Sequence, residues 1–336
     1  MIGVILLKDC FILLMRCIAR DVLLYTLLID DADGLNHSRI WKVYYHPSID
    51  DQSLELLHLQ AKKLQSLAVS MQEWQASRYG SILRFCDRST LAKVREVWRR
   101  LSTLDMTESE REKDDIAFLK RIGALNTLQS IAGSRPFEVF LQGYRATLPA
   151  PEASVTELLH LHRYYWENGT TDCELELEEA PTATYSNPMF TCLETISSLG
   201  HYTANPIIGF HLALAKVRLG RHSIPEDTPN APGAKDLHAA RLEFQTWSTA
   251  FRKRAEKNIT LRFFVGDALA FCQTLEYKRV SRDLTSNLYR SGFSFEPLIL
   301  DNEDYTGGGN APLSFDIIDT SNLGDYVGAK IGRAHV

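Results

Sequence analysis

The sequence predicts an α/β fold in which sheet elements accompany a large, mainly helical region. Two observations lead there. From residue 259 onward a strand, a tight turn, a helix and two further strands follow one another, the beginning of a layered arrangement of helices on a sheet. Between residues 47 and 224 apolar residues recur at steps of three and four, the spacing of one helix face. No stretch of the chain repeats another.

Composition narrows the class. With 336 residues, 45% hydrophobic and 24% charged, the chain has ample material for a core, and its length suggests about two domains. A net charge of -5 leaves no global basic field for nucleic acid. Six cysteines without a C-x-x-C pair fit buried thiols in a reducing compartment, and a zinc knuckle within this stretch is not expected. Three N-x-S/T sequons, at Asn36, Asn168 and Asn258, lack a secretory signal and carry no weight.

The elements follow in order. Residues 2–29 are apolar but interrupted by Lys8, Asp9, Arg16, Arg20 and Asp21, which argues against a membrane span, and no positive charge precedes the run as a signal peptide requires. Residues 22–29 read as a buried strand or helix, and residues 1–18 as a misplaced start or unspliced sequence. From Leu54 one stripe runs through Leu57, Ala61, Leu64, Ala68, Met71 and Trp74, with Asp50 or Asp51 as its N-cap and the core as its destination. Leu91, Val94, Trp98 and Leu101 give a second helix whose Arg95, Arg99 and Arg100 form a solvated face. Capping boxes at Thr107-Glu110 and Ser154-Glu157 open a third and a fourth, the latter stopping at Asn168-Gly169. Residues 207–219 read as a buried helix ended by Gly220, and residues 225–233, with three prolines, as a linker. Leu237, Ala240, Phe244, Trp247 and Phe251 line another helix, whose terminal Arg252, Lys253, Arg254 and Lys257 complement its dipole. Strands are expected at residues 259–265, 297–301 and 315–319, a helix at 268–276 and a flexible loop at Gly307-Gly309.

Ligands of open α/β sheets bind beyond the carboxyl ends of the strands. Three such ends carry suitable groups: Gly266-Asp267, Asp301, and Asp319 with Asn322. A nucleotide-like ligand needs a glycine where the backbone approaches it and an acid for ribose hydroxyls. The competing reading makes Gly266 a turn glycine and Asp267 and Asn322 helix caps. The acids between Asp172 and Glu179 alternate with apolar residues, which suggests an acidic strand edge and not a calcium loop. His160 and His162 point apart on a helix, and His58 and His211 have no partner in sequence, so no metal site is expected.

Several segments resemble a family of large, uncharacterised fungal proteins that often carry a MYND-type zinc finger further along the chain. They include Arg20-Asp21-Val22-Leu23-Leu24-Tyr25, Tyr44-Tyr45-His46, Arg78-Tyr79-Gly80-Ser81-Ile82-Leu83-Arg84-Phe85, Tyr165-Trp166-Glu167-Asn168-Gly169, Phe264-Val265-Gly266-Asp267-Ala268 and Phe315-Asp316-Ile317-Ile318-Asp319-Thr320-Ser321-Asn322-Leu323. More distantly, the order of elements is similar to that of an axonemal dynein assembly factor. The resemblance implies a methyltransferase-like, Rossmann-like sheet with a long helical insertion, truncated at both ends. Residues 1–46 then close an upstream α/β half, 47–224 are mainly helical, 225–233 link, and 234–329 supply a helix and Rossmann-like strands. Residues 331–336 translate the start of a common short-read sequencing adapter, so 330–336 are expected to be an artefact. The family's Gly and Asp are replaced here by the segment Thr203-Ala204-Asn205-Pro206, and the glycine-rich methyltransferase signature is absent. The expected function is therefore a non-catalytic protein-interaction or assembly module, cytoplasmic or nuclear, with protein partners and no membrane or nucleic acid. The alternative is an S-adenosylmethionine-dependent methyltransferase with Gly266 and Asp267 at the cofactor, Asp301 on its ribose and Asn322 near the substrate. Zinc belongs only to a finger outside this chain.

Overall fold

In a computed structural model of the chain, the structure describes residues 3–4, 11–103, 161, 164–165, 168–172, 185–191, 234–281, 285–291, 294–306 and 309–315. Their elements are β1 (Gly3–Val4), α1 (Phe11–Asp30), α2 (His37–Tyr45), β2 (Ser48–Ile49), α3 (Asp51–Leu67), α4 (Met71–Ala76), β3 (Leu83–Phe85), α5 (Arg88–Ser102), β4 (Tyr185–Ser186), α6 (Pro188–Thr191), α7 (Ala234–Asn258), β5 (Leu261–Phe263), α8 (Ala268–Ser281), β6 (Thr285–Ser291), β7 (Ser294–Ile299) and α9 (Asn302–Tyr305). Helices mixed with small sheets make this a mixed α/β chain. The third helix, the helix at 207–219, the linker at 225–233, the acids after Asp172, the strand at 315–319 beyond Phe315, and residues 330–336 lie outside the described residues. So do His160, His162 and His211.

The chain forms two compact units, each assembled from separate stretches. The first takes in Met1–Ala19, Leu64–Val97 and Glu256–Val336. Its centre is a parallel sheet of order β1-β5-β3, in which Leu83, Arg84 and Phe85 face Leu261, Arg262 and Phe263. Parallel strands need long connections, and the chain between β3 and β5 supplies one that includes α5 and α7. The β3 edge is closed at Leu83: its N–H donates to the Tyr79 carbonyl (2.8 Å), and its carbonyl accepts from the buried Trp74 indole (2.7 Å). A paired edge offers no template for another strand. Cys86, Phe264, Phe271, Leu275, Leu298, Leu300 and Tyr305 form one apolar cluster in this unit, with Phe264 stacked on Phe271 at 4.6 Å.

The second unit comprises Arg20–Lys63 and Trp98–Ala255. Its aromatic core joins Trp41 and Tyr45 of α2 to Phe244 of α7, and Tyr25 of α1 to Trp247 and Phe251. The short antiparallel pair β2-β4 matches Ser48 with Ser186 and Ile49 with Tyr185. Gly169 sits at φ 70°, where its N–H closes a turn on the Tyr165 carbonyl (2.8 Å) and its own carbonyl accepts from Ser48 (2.9 Å). The stop expected at Asn168-Gly169 is thus a left-handed cap that glycine fills at least cost.

Several expected elements shift. Residues 22–29 are helical: they continue a twenty-residue stretch from Phe11 that is longer than a strand can sustain, and bury Val22, Leu23, Leu27 and Leu28. The single stripe from Leu54 to Trp74 is two helices. Its apolar positions from Leu57 onward are buried, but Ser70 restarts the chain as an N-cap by accepting from the Glu73 N–H at 3.1 Å. Asp50 caps α3 through the Ser53 N–H at 2.8 Å. The strand expected at 297–301 begins earlier and ends at Ile299, and it pairs antiparallel with β6, a strand the sequence did not reveal. The strand expected at 259–265 is only Leu261–Phe263, and the helix expected at 268–276 extends to Ser281.

Candidate functional site at the carboxyl ends of the parallel strands

Two of the three candidate strand ends lie at one end of the parallel sheet in the first unit. β3 runs out into Cys86 and Asp87, and β5 into Phe264, Val265, Gly266 and Asp267. The Asp301 N–H donates to the Cys86 carbonyl at 2.8 Å, which places Asp301 at the same end of the sheet. Asp319 and Asn322 lie outside the described residues.

Each candidate group has an internal task. A Cβ on Gly266 would lie 2.4 Å from Phe264 Cζ and 3.0 Å from the Arg290 carbonyl, so glycine is required by the protein's own atoms. Asp267 donates its N–H to that carbonyl (2.7 Å), while its side chain accepts from the N–H groups of Leu269 (2.8 Å) and Ala270 (3.3 Å) as the cap of α8. Asp301 caps α9 by accepting from the Asp304 N–H (3.2 Å), and also accepts from Gln75 Nε2 (2.8 Å). Asp304 is buried beside Arg84 (3.1 Å) and Arg262 (3.4 Å).

The most deeply buried chemistry here is a set that the sequence reading missed. Arg290 of β6 forms an ion pair with Asp87, and both side chains are 1% exposed. The guanidinium Nη1 also donates to the Val265 carbonyl at 2.6 Å. Asp87 in turn caps α5, accepting from the Thr90 N–H (2.8 Å) and hydroxyl (2.9 Å), and Thr90 Oγ1 accepts from the Val265 N–H (3.1 Å). Glu296 of β7 lies 3.3 Å from Arg290 Nε and 2.7 Å from Lys93 Nζ. Burial raises the Glu296 carboxyl, but the Lys93 and Ser89 hydrogen bonds and both cations hold it below its usual value. Buried charges demand this kind of pairing. The Asp87-x-x-Thr90 spacing before the Leu91 stripe is an N-cap signal; Arg290, in a polar strand without clear alternation, gives none.

Nearby Cys86 is an inert thiol. Burial pushes it up to about 12, although the Tyr305 hydroxyl, 3.3 Å from its sulfur, pulls the other way. Chemically, the strand ends form a filled polar plug: a guanidinium, a carboxylate and a hydroxyl hold two strands and a helix start together.

A second polar cluster lies within the other unit. Thr171 Oγ1 is 2.7 Å from His46 Nε2 and accepts from Trp41 Nε1 (3.0 Å) and Arg241 Nη2 (3.1 Å). Asp172, from the acidic run, pairs with Arg241 at 2.8 Å and approaches Lys42 at 3.7 Å. Burial drives the His46 imidazole down to about 3, with Asp172 opposing. No group of three or more metal-ligating side chains occurs among the described residues, and no helix among them is long and apolar enough to cross a membrane. Compared with protein-family models, curated proteins and solved structures, the chain gives no match in any of the three.

Proposed function

We propose that this chain is a non-catalytic protein-interaction or assembly module. The observation that carries the reading is the outer face of the β6-β7 hairpin. Along β7 the pleat alternates: Leu298 is buried, whereas Phe295 is 90% exposed, Ile299 49%, and Pro297 is exposed between them. Tyr289, 53% exposed and opposite Pro297, meets Phe295 edge to face at 5.9 Å. Aromatic and aliphatic side chains grouped on one exposed face favour a protein partner, since aromatic anchors dominate binding energy in interfaces. The plug of Arg290, Asp87 and Thr90 supports the non-catalytic half of the reading, because these groups are committed to each other. Purification from the native source under gentle conditions tests it: a stoichiometric protein partner is expected, and recovery of the chain alone would overturn the reading.

The methyltransferase reading retains one favourable observation: Gly266 and Asp267 stand just beyond β5 of a parallel sheet and open α8, the position at which such sheets hold nucleotides. On that reading the finer fold is Rossmann-like, and S-adenosylmethionine would approach Gly266 with Asp301 near its ribose. Calorimetric titration of the folded protein with S-adenosylmethionine separates the two. No heat at high micromolar ligand favours the interaction module, and saturable heat favours the enzyme. A fungal MYND-type or dynein-assembly relationship, a zinc finger elsewhere and a cytoplasmic or nuclear site remain parts of the proposal.

A further inference from the structure

At the corner between α1 and α2, three side chains leave four buried polar atoms without a side-chain hydrogen bond. Asp31, the residue after α1, uses Oδ1 to accept from the Asn36 N–H (3.0 Å) and Nδ2 (3.2 Å), but its Oδ2 accepts no hydrogen bond. Arg252 of α7 places Nη1 3.6 Å from that Oδ2, an ion pair without a hydrogen bond, and Nη1 has no other acceptor. Its Nη2 donates to Thr249 Oγ1 at 3.2 Å. Both ring nitrogens of His37, the first residue of α2, are buried without a side-chain hydrogen bond, and the Gly34 backbone is the ring's polar neighbour in the turn. Gly34, at φ 71°, holds the turn so tightly that an added Cβ would stand 3.0 Å from His37 Cε1 and 3.2 Å from Arg252 Nη2. Ring and guanidinium therefore both lie against the Gly34 turn. Buried polar atoms left unbonded call for a functional or energetic reason.

The charged groups facing the ring are Arg252 from α7 and Asp31 from the corner, with the Gly34 backbone beside them. We infer that Asp31, His37 and Arg252 form a proton-operated latch, in which His37 and Arg252 compete for the free oxygen of Asp31. With His37 neutral, Asp31 Oδ2 serves Arg252 and tethers α7 to the corner. When the ring takes a proton from solvent, both nitrogens become donors, Asp31 Oδ2 becomes the acceptor for one of them, and the new cation repels Arg252. α7 then loosens at its C-terminal end.

Geometry and electrostatics agree on the resting state. Burial, first, and the Arg252 charge, second, hold the imidazole below its usual value, while Asp31 and Gly34 pull it up. The N-terminal end of a helix also disfavours a cation. The neutral, latched form is thus the state at neutral pH, and acidification opens it.

Histidine-selective NMR on the full chain tests the latch, with His37 assigned by its loss in His37→Gln. Arg252→Gln should raise the His37 titration midpoint and Asp31→Asn should lower it. Opposite shifts are expected only if both groups act on one ring; absence of either shift in folded variants would overturn the inference. A second readout needs neither variant: the Trp247 indole N–H signal on α7 should move with the His37 midpoint in the wild type and stay still in His37→Gln. The same Trp247 movement in both proteins would sink the latch.

Discussion

Replacing Arg290 by Met removes the guanidinium and leaves Asp87 buried at 1% exposure without its cation. Breaking a buried pair by deleting one partner costs about 3–5 kcal/mol, because the remaining charge is uncompensated. Here Asp87 keeps two hydrogen bonds from Thr90, at 2.8 and 2.9 Å, so the loss should fall near the low end, about 3 kcal/mol. The Val265 carbonyl loses its 2.6 Å donor as well, and Glu296 loses one of its two cations. Urea unfolding at pH 7, fitted with a common slope, reads the difference directly. A double-mutant cycle with Asp87→Asn, which keeps the cap acceptor but not the charge, should show a coupling of about 2 kcal/mol or more. If Arg290→Met costs under about 1 kcal/mol, the plug is not what holds the strand ends, and the reasoning fails.

Other outcomes follow from the same structure. His46 is neutral and buried, with its imidazole down at about 3, so folding favours the unprotonated form: its contribution is complete above the unfolded value near 6.5 and is lost as pH falls toward 3. At pH 5 that linkage amounts to about 2 kcal/mol, and His46→Gln should show a flatter decline of urea stability between pH 7 and 5 than the wild type. Cys86, held neutral by burial, should resist iodoacetamide in the folded protein at pH 8, while the exposed Cys272, its own thiol raised by desolvation and by Asp267, should be labelled faster, as peptide mapping would record; equal labelling would contradict it. Gly169→Ala places a Cβ 2.2 Å from Ser48 Oγ at positive φ and should cost upwards of about 1 kcal/mol by urea unfolding, whereas a neutral effect would mean the Gly169 turn is misread.

What was legible in the sequence is what periodicity and caps encode. The stripes at Leu57, Ala61 and Leu64, and at Leu91, Val94 and Trp98, are buried, because a one-sided apolar face can be satisfied in only one way. The break at Ser70 carried its own signal, a Ser-x-x-Glu capping box overlooked within a continuous stripe. Residues 22–29 left strand and helix open because a fully apolar run has no period to read. β6 escaped because a polar strand of Thr, Ser, Asn and Arg has weak alternation, and its pairing with β7 is a tertiary fact. The site followed the same division. Gly266, Asp267 and Asp301 were found as punctuation at strand ends, and their capping bonds were the competing local reading. The Arg290-Asp87 pair joins residues 203 positions apart, and no local pattern announces such a contact.

The claim that this chain works by holding a protein partner is tested most directly at Phe295. The side chain is 90% exposed, so Phe295→Asp should leave the protein folded, at a cost of no more than about 1–2 kcal/mol for the lost Tyr289 contact and the strand position. Recovery of the co-purifying partner should nevertheless fall at least tenfold, the equivalent of about 1.4 kcal/mol of binding. Partner recovery unchanged in the folded Phe295→Asp protein would contradict the account.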